Sequence, residues 1–205
     1  MGRGTAGHVY LRSTRGQALD MPGVQVFLVK LGWHDQIEAR TKGIDRAVRH
    51  RGQYEGKWSF PNHQVEQDGG SFEDFTETQI MSVAAEIAVA RYFRLDNYEA
   101  NNNSFKHEAD VGKNVEVKYS KHNKGRLIVR PNDRDSDYSV LVTGSFTHLF
   151  LKGWHNVATA KQAAYLKDCK KCVCWWVPQD ALAPMHQLHM IEEVAYASSD
   201  RVQAL

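Results

Sequence analysis

Apolar residues follow two rhythms along this chain: short β-branched blocks, and one long stretch with helical spacing. Residues 24–31, Val-Gln-Val-Phe-Leu-Val-Lys-Leu, are β-branched and partly alternating, which predicts a strand. A turn-like Met21-Pro22-Gly23 precedes it. A basic, glycine-punctuated segment follows through Trp58, with a short helix expected around residues 37–51. Gln67-Asp68-Gly69-Gly70 then reads as a joint.

After the joint comes the strongest helical pattern. Ser71 or Asp74 can cap its start, and Glu73, Asp74 and Glu77 sit where the helix dipole favours negative charge. The body runs through Ile80, Val83, Ala84, Ile87, Ala88 and Ala90 to Phe93. Nearly every residue from Ile80 to Ala90 is small or apolar, so the helix is expected to be covered on most sides. Glu86 is the only charge in that stretch. An ionised carboxylate buried there costs on the order of several kcal/mol unless it is paired or faces a cation. Arg91 and Arg94 are the nearest candidates for a plain ion pair.

The second half predicts mostly strands. Residues 105–111 and 115–119 flank Gly112-Lys113-Asn114, whose residues tolerate the angles of a tight turn. Further strands are expected at 127–130, 138–143 and 147–152, the last two separated by Gly144-Ser145. A helix is expected at 159–167, a strand at 172–177, and a short helix or turn from Pro178 toward Leu188.

Composition narrows the class. The chain has 205 residues, 42% of them hydrophobic and 24% charged, enough to bury a core. It has neither an apolar run of the roughly 20 residues that would span a bilayer nor a secretory leader, so a cytoplasmic protein without a membrane partner is expected. Net charge is only +2, but Arg40, Lys42, Arg46, Arg49, Arg51 and Lys57 cluster in one stretch, and Lys113, Lys118, Lys121, Lys124, Arg126 and Arg130 in another. Such stripes suit either a phosphate backbone or a solvated face. Cys169, Cys172 and Cys174 make no disulfide framework. They read as part of a zinc site with His155 or His186, or as small core residues on a strand.

The chemistry concentrates in residues 110–118, Asp-Val-Gly-Lys-Asn-Val-Glu-Val-Lys. On a strand Glu116 and Lys118 point one way, and Val115, Val117 and Tyr119 the other. A hairpin would carry Asp110 beside Glu116. Two converging carboxylates repel unless a cation lies between them, and oxygen ligands suit Mg²⁺ or Mn²⁺. The ammonium of Lys118 could steady an attacking water or a phosphate oxygen. The bland alternative is a solvent-facing Glu116–Lys118 pair.

These residues resemble the PD-(D/E)XK nuclease superfamily: Glu86 on a helix, then Asp110, then Glu116-Val117-Lys118. The similarity extends to residues 138–142, 149–154 and 175–178 and covers about residues 71–190. Ala109 stands where the motif has proline. The resemblance implies an α/β, restriction-endonuclease-like core over residues 68–205, with a central mixed β-sheet flanked by helices. Residues 1–67 are expected to form an N-terminal extension containing a strand, a candidate DNA clamp through its basic run or a candidate homodimer contact through the strand at 24–31. It implies that Asp110, Glu116, the Val117 carbonyl and Glu86 hold Mg²⁺, with Mn²⁺ able to substitute, and that Lys118 orients the water that attacks phosphorus. Lys113, Tyr119, Ser120, Lys121, Lys124 and Arg126 become candidate DNA contacts. The activity expected is that of a DNA endonuclease, in the cytoplasm of a cell or of a virus's host. The alternatives are an exonuclease or junction resolvase, a non-catalytic nucleic-acid-binding protein, and a zinc module.

Overall fold

The computed structural model describes residues 17–21, 24–50, 71–95, 98–100, 108–168 and 173–188. The block at 24–31 forms a strand and pairs on both sides. β1 (Gln17–Met21) and β2 (Val24–Lys30) run antiparallel, and β2 also lies antiparallel to β6 (His148–Asn156). β5 (Tyr138–Ser145) continues the sheet antiparallel to β6, and β3 (Val115–Ser120) closes it parallel to β5. The result is a five-stranded mixed sheet in the order β1-β2-β6-β5-β3. Both edges of β2 are taken within the chain, so the expected dimer contact through that strand has no free hydrogen-bonding edge to use.

One helix lies against one face of the sheet, and a second packs on that helix. α1 (Trp33–His50) is longer than the segment expected at 37–51, and α2 (Phe72–Tyr92) is the helix read from its apolar stretch. Ser71 caps α2: its Oγ accepts from the Asp74 N–H at 3.2 Å, while an Asp74 oxygen accepts from the Ser71 N–H at 2.9 Å. Ala84, Ile87, Ala88 and Val89 of α2 pack with Val29, Val115, Val140, Val142, Leu149 and Leu151 of the sheet in the main core. The segment before the joint is therefore woven into the same sheet and core as the rest.

The other face of the sheet is only partly covered. A second, three-stranded sheet, β4-β8-β7, comprises β4 (Leu127–Val129), β7 (Leu166–Asp168) and β8 (Val173–Val177). Leu127, Val129 and Val177 join Leu141 of β5 and Val157 and Ala160 of α3 (Val157–Ala160) in a smaller core. Parallel pairing of Glu116 with Ser139, Lys118 with Leu141 and Ser120 with Thr143 puts all six side chains on this second face.

Several elements depart from the sequence reading. The hairpin at 105–119 keeps its turn, with Gly112 at φ +63°, but its first arm is one antiparallel bridge, Val111 to Val115; residues 101–107 lie outside the described residues. Gly144-Ser145 is no turn but the end of β5, and the chain reverses at Phe146-Thr147. The helix expected at 159–167 starts earlier, because the Asn156 side chain accepts from the Thr159 N–H, and stops at Ala160. A 3₁₀ turn (Ala163–Tyr165) follows, and residues 166–168 pair with β8 instead. After β8 come a 3₁₀ turn (Gln179–Ala181) and α4 (Met185–Leu188).

Candidate metal centre

β3 is the outer strand of the sheet, and its outward edge builds the centre of the site. Val115 exchanges both backbone hydrogen bonds with Val111, at 3.0 and 3.2 Å. Two residues on, the Val117 N–H donates to Asp110 Oδ2 at 2.8 Å. The N–H and C=O of one strand residue point the same way, so the Val117 carbonyl also faces outward, on the side of Asp110. Tyr98 fixes the loop from behind, its hydroxyl donating to the Asp110 carbonyl at 2.8 Å. Burial holds that hydroxyl well above its usual range, with the charges of Glu86 and Asp110 adding to the effect.

Asp110 is the electrostatic centre. Burial raises its carboxyl well above the ordinary range, and the negative charges of Glu86 and Glu116 raise it further. The bond from the Val117 N–H and the charge of Lys118 act in the opposite direction and are outweighed. A buried carboxyl on which two other negative charges act is a position where a cation would be welcome.

The other predicted residues are partly committed. Lys118 Nζ donates to Glu116 Oε1 at 2.8 Å and to Asp133 Oδ1 at 3.1 Å. Asp133 lies in the loop between β4 and β5, is buried, and accepts the Arg130 N–H at 2.9 Å through Oδ2. Lys161 ties down the same loop through the Asp133 carbonyl at 2.7 Å and Asp135 at 2.6 Å. Glu86 is 4% exposed, and both its oxygens accept from Arg46 of α1 at 2.6 Å. Neither arginine expected to pair with Glu86 does so: Arg91 binds Asp35 at 2.7 Å, and Arg94 is exposed at a positive φ of 58°. Burial alone would lower the Arg46 pKa, but the bond and charge of Glu86, then the charge of Asp110, raise it on balance.

Asp110 and Glu116 therefore act on each other by charge beside the outer edge of β3, while Glu86 approaches from the helical side with Arg46 occupying its oxygens; the ligand atoms of these three carboxylates are not gathered within 4.8 Å of one another. Arg46 and Asp133 were missed because nothing local marks them: one is a basic residue among several in its stretch, the other an aspartate in a turn. Asp137 is also buried, paired with Arg134 at 2.9 Å, and has its pKa raised chiefly by burial.

The candidate DNA contacts divide. Lys113, Lys121, Lys124 and Arg126 are exposed. Ser120 Oγ accepts from the His122 N–H at 3.3 Å and shapes the turn after β3. Tyr119 points to the helical side of the sheet, its hydroxyl donating to the Gly144 carbonyl at 2.9 Å. Of the basic stripe at 40–57, Arg40 and Lys42 flank α1's buried side, Arg49 pairs with Asp45, and Arg51 and Lys57 lie outside the described residues. Cys174 is buried on β8, whereas Cys169 and Cys172 lie outside the described residues.

Among the described residues the one group of three ligand-type side chains whose ligand atoms come within 4.8 Å of one another lies instead at the start of α1: His34, Asp35 and Glu38. Asp35 is held by Arg91, and Glu38 accepts the Ala100 N–H at 2.9 Å, which accounts for both carboxylates without an ion. Among the described residues no helix is long and apolar enough to cross a membrane. No protein-family model matches the chain, and neither the curated proteins nor the solved structures searched contain a match.

Proposed function

We propose that this chain is a divalent-metal-dependent DNA endonuclease of the restriction-endonuclease-like class, with Asp110, Glu116 and Lys118 at its reactive centre. The observation that carries the reading is geometric: Asp110 accepts from the Val117 N–H on the strand that bears Glu116 and Lys118, and the charges of Glu86 and Glu116 act on its buried carboxyl. A donor set of two carboxylates and the Val117 carbonyl suits a hard ion such as Mg²⁺, with Mn²⁺ as a substitute. When bound, the ion supplies charge that lowers the pKa of a water and offsets charge on the phosphate. Asp110 and Glu116 orient that centre. Lys118, set by Glu116 and Asp133, is placed to hold the nucleophile or a phosphate oxygen and to offset charge that develops in the transition state. Glu86 acts behind Asp110, its own charge balanced by Arg46.

A non-catalytic nucleic-acid-binding protein is the second reading. It is favoured by the occupation of Glu86 by Arg46 and of Lys118 by Glu116 and Asp133, an arrangement that also closes as a purely structural network. Incubating the full chain with closed-circular and linear DNA in Mg²⁺ or EDTA separates the two. Cutting of circles that needs the metal, and that falls by about two orders of magnitude in Asp110→Asn, is the expected result. Cutting of linear DNA alone would make the enzyme an exonuclease, and no metal-dependent cutting of either would leave the binding protein.

The pH dependence has a defined sign. The folded-state pKa of Asp110 lies above its unfolded value, so its contribution to stability is present below about pH 3.9 and lost as pH rises through the folded pKa. A divalent ion competes with that proton. Stabilisation of the chain by Mn²⁺ should therefore grow as pH climbs through the same window, and be absent in Asp110→Asn at every pH.

A further inference from the structure

On the second face of the sheet, beyond Lys118, lies a cavity of about 460 Å³ lined by Lys121, Asn123, Ser145, Phe150 and Lys152, among others. It sits where the parallel strands β3 and β5 both end. Lys121 is roughly 10 Å along the chain from Lys118 at about 3.3 Å per residue.

Lys152 is the informative residue. Leu141 pairs with Gly153 and Val142 with Leu151, so Lys152 is the extra residue of a β-bulge. Bulges of this kind re-aim a side chain and recur beside functional sites. The residue is only 6% exposed, yet no carboxylate lies within 4.0 Å of its ammonium among the described residues. Its neighbour is the Phe150 ring, 5.5 Å from the ammonium to the centroid. Burial pulls its pKa down. Beside Val26 and Gly144, the remaining polar side chains of the lining are a second ammonium (Lys121, whose charge also reaches Asp74), an amide and a hydroxyl. These are donors suited to a tetrahedral oxyanion.

We propose that this cavity is a phosphate-binding subsite in which Lys152 and Lys121 clamp a phosphodiester of the strand that passes Lys118. The assignment rests on the nuclease reading for its occupant. For its chemistry it rests on a lysine at a β-bulge that lines the cavity with no carboxylate partner among the described residues. A lysine kept for folding would be missed when replaced. One kept for a ligand leaves a better-packed protein and a poorer site.

The test uses the full chain and Lys152→Met in EDTA, with three readouts: thermal unfolding, the salt dependence of binding to a labelled DNA duplex, and the NMR shift of the Lys152 side chain on adding inorganic phosphate. The expected outcome is an unchanged or higher Tm, about tenfold weaker duplex binding, a salt slope shallower by about 0.9, and a phosphate-induced shift at Lys152 in the wild type. Equal duplex affinity and slope in the two proteins, with no shift from phosphate, overturn the subsite and leave the nuclease reading standing. If the wild type binds no duplex in EDTA and cuts none in Mg²⁺, the nuclease reading fails by itself. A shift at Lys152 then keeps the cavity as a site for free phosphate compounds, and its absence removes the site as well.

Discussion

Arg46 gives both arms of its guanidinium to Glu86, and both side chains are almost wholly buried. Removing one partner from such a pair leaves the other charge stranded, which costs about 3–5 kcal/mol, whereas removing both is often close to neutral. Arg46→Met should therefore lower stability to urea by that amount, and Arg46→Met with Glu86→Gln should recover most of it. Mn²⁺ adds a second arm. If Glu86 is within an ion's reach, the metal should restore more stability to Arg46→Met than it adds to the wild type. Equal gains would place Glu86 outside the ion's ligand set. Part of this centre was legible beforehand. Alternation along residues 115–119 separates Glu116 and Lys118 from Val117, and the lone charge in an apolar helix marks Glu86 as needing a partner. The identity of that partner was not legible, because Arg46 lies 40 positions away and only packing of two helices brings it there. Asp133, which shares Lys118 with Glu116, is hidden for the same reason.

The α1–α2 contact that delivers Arg46 depends on a glycine. A Cβ added at Gly43 would sit 2.5 Å from Ile80 Cα and 2.7 Å from its backbone nitrogen, so the helices touch almost backbone to backbone. On an exposed helix Gly→Ala gains about 1 kcal/mol. Here the clash is with backbone that cannot rotate away, and overpacking of this kind costs about 1–3 kcal/mol. Gly43→Ala should be net destabilising in urea unfolding, and a gain in stability would mean that the helices stand further apart. α1 was underestimated from the sequence because its apolar residues are thinly spread among charges: Ala39, Gly43 and Ala47 supply much of its inward side, and none is a strong hydrophobic signal. α2, β2, β5 and β8 were plain because large or β-branched residues recur at the right spacing. Residues 159–167 misled because local helix propensity was good, yet pairing of Leu166–Asp168 with β8 prevailed.

At the scale of the whole molecule, the N-terminal third changes meaning. Its sequence, separated from the rest by Gly69-Gly70, reads as an extension that could be removed. Its described part instead supplies two of the five strands of the central sheet and the helix against α2. Deleting residues 1–67 would expose the edge of β6 that now pairs Leu149, Phe150 and Leu151 with β2. It would uncover α2 and strand Glu86 without Arg46. Each of these is a severe loss, and together they exceed the roughly 5–15 kcal/mol by which domains are usually stable. The truncated chain should aggregate or lack a cooperative thermal transition. A clamp or dimerisation arm would behave otherwise, leaving a folded core with weaker DNA binding. A truncated protein that melts cooperatively would therefore return residues 1–67 to the role of an appendage. Loss of folding would instead mean that the central sheet and the helix pair behind the candidate site are completed from both halves of the chain.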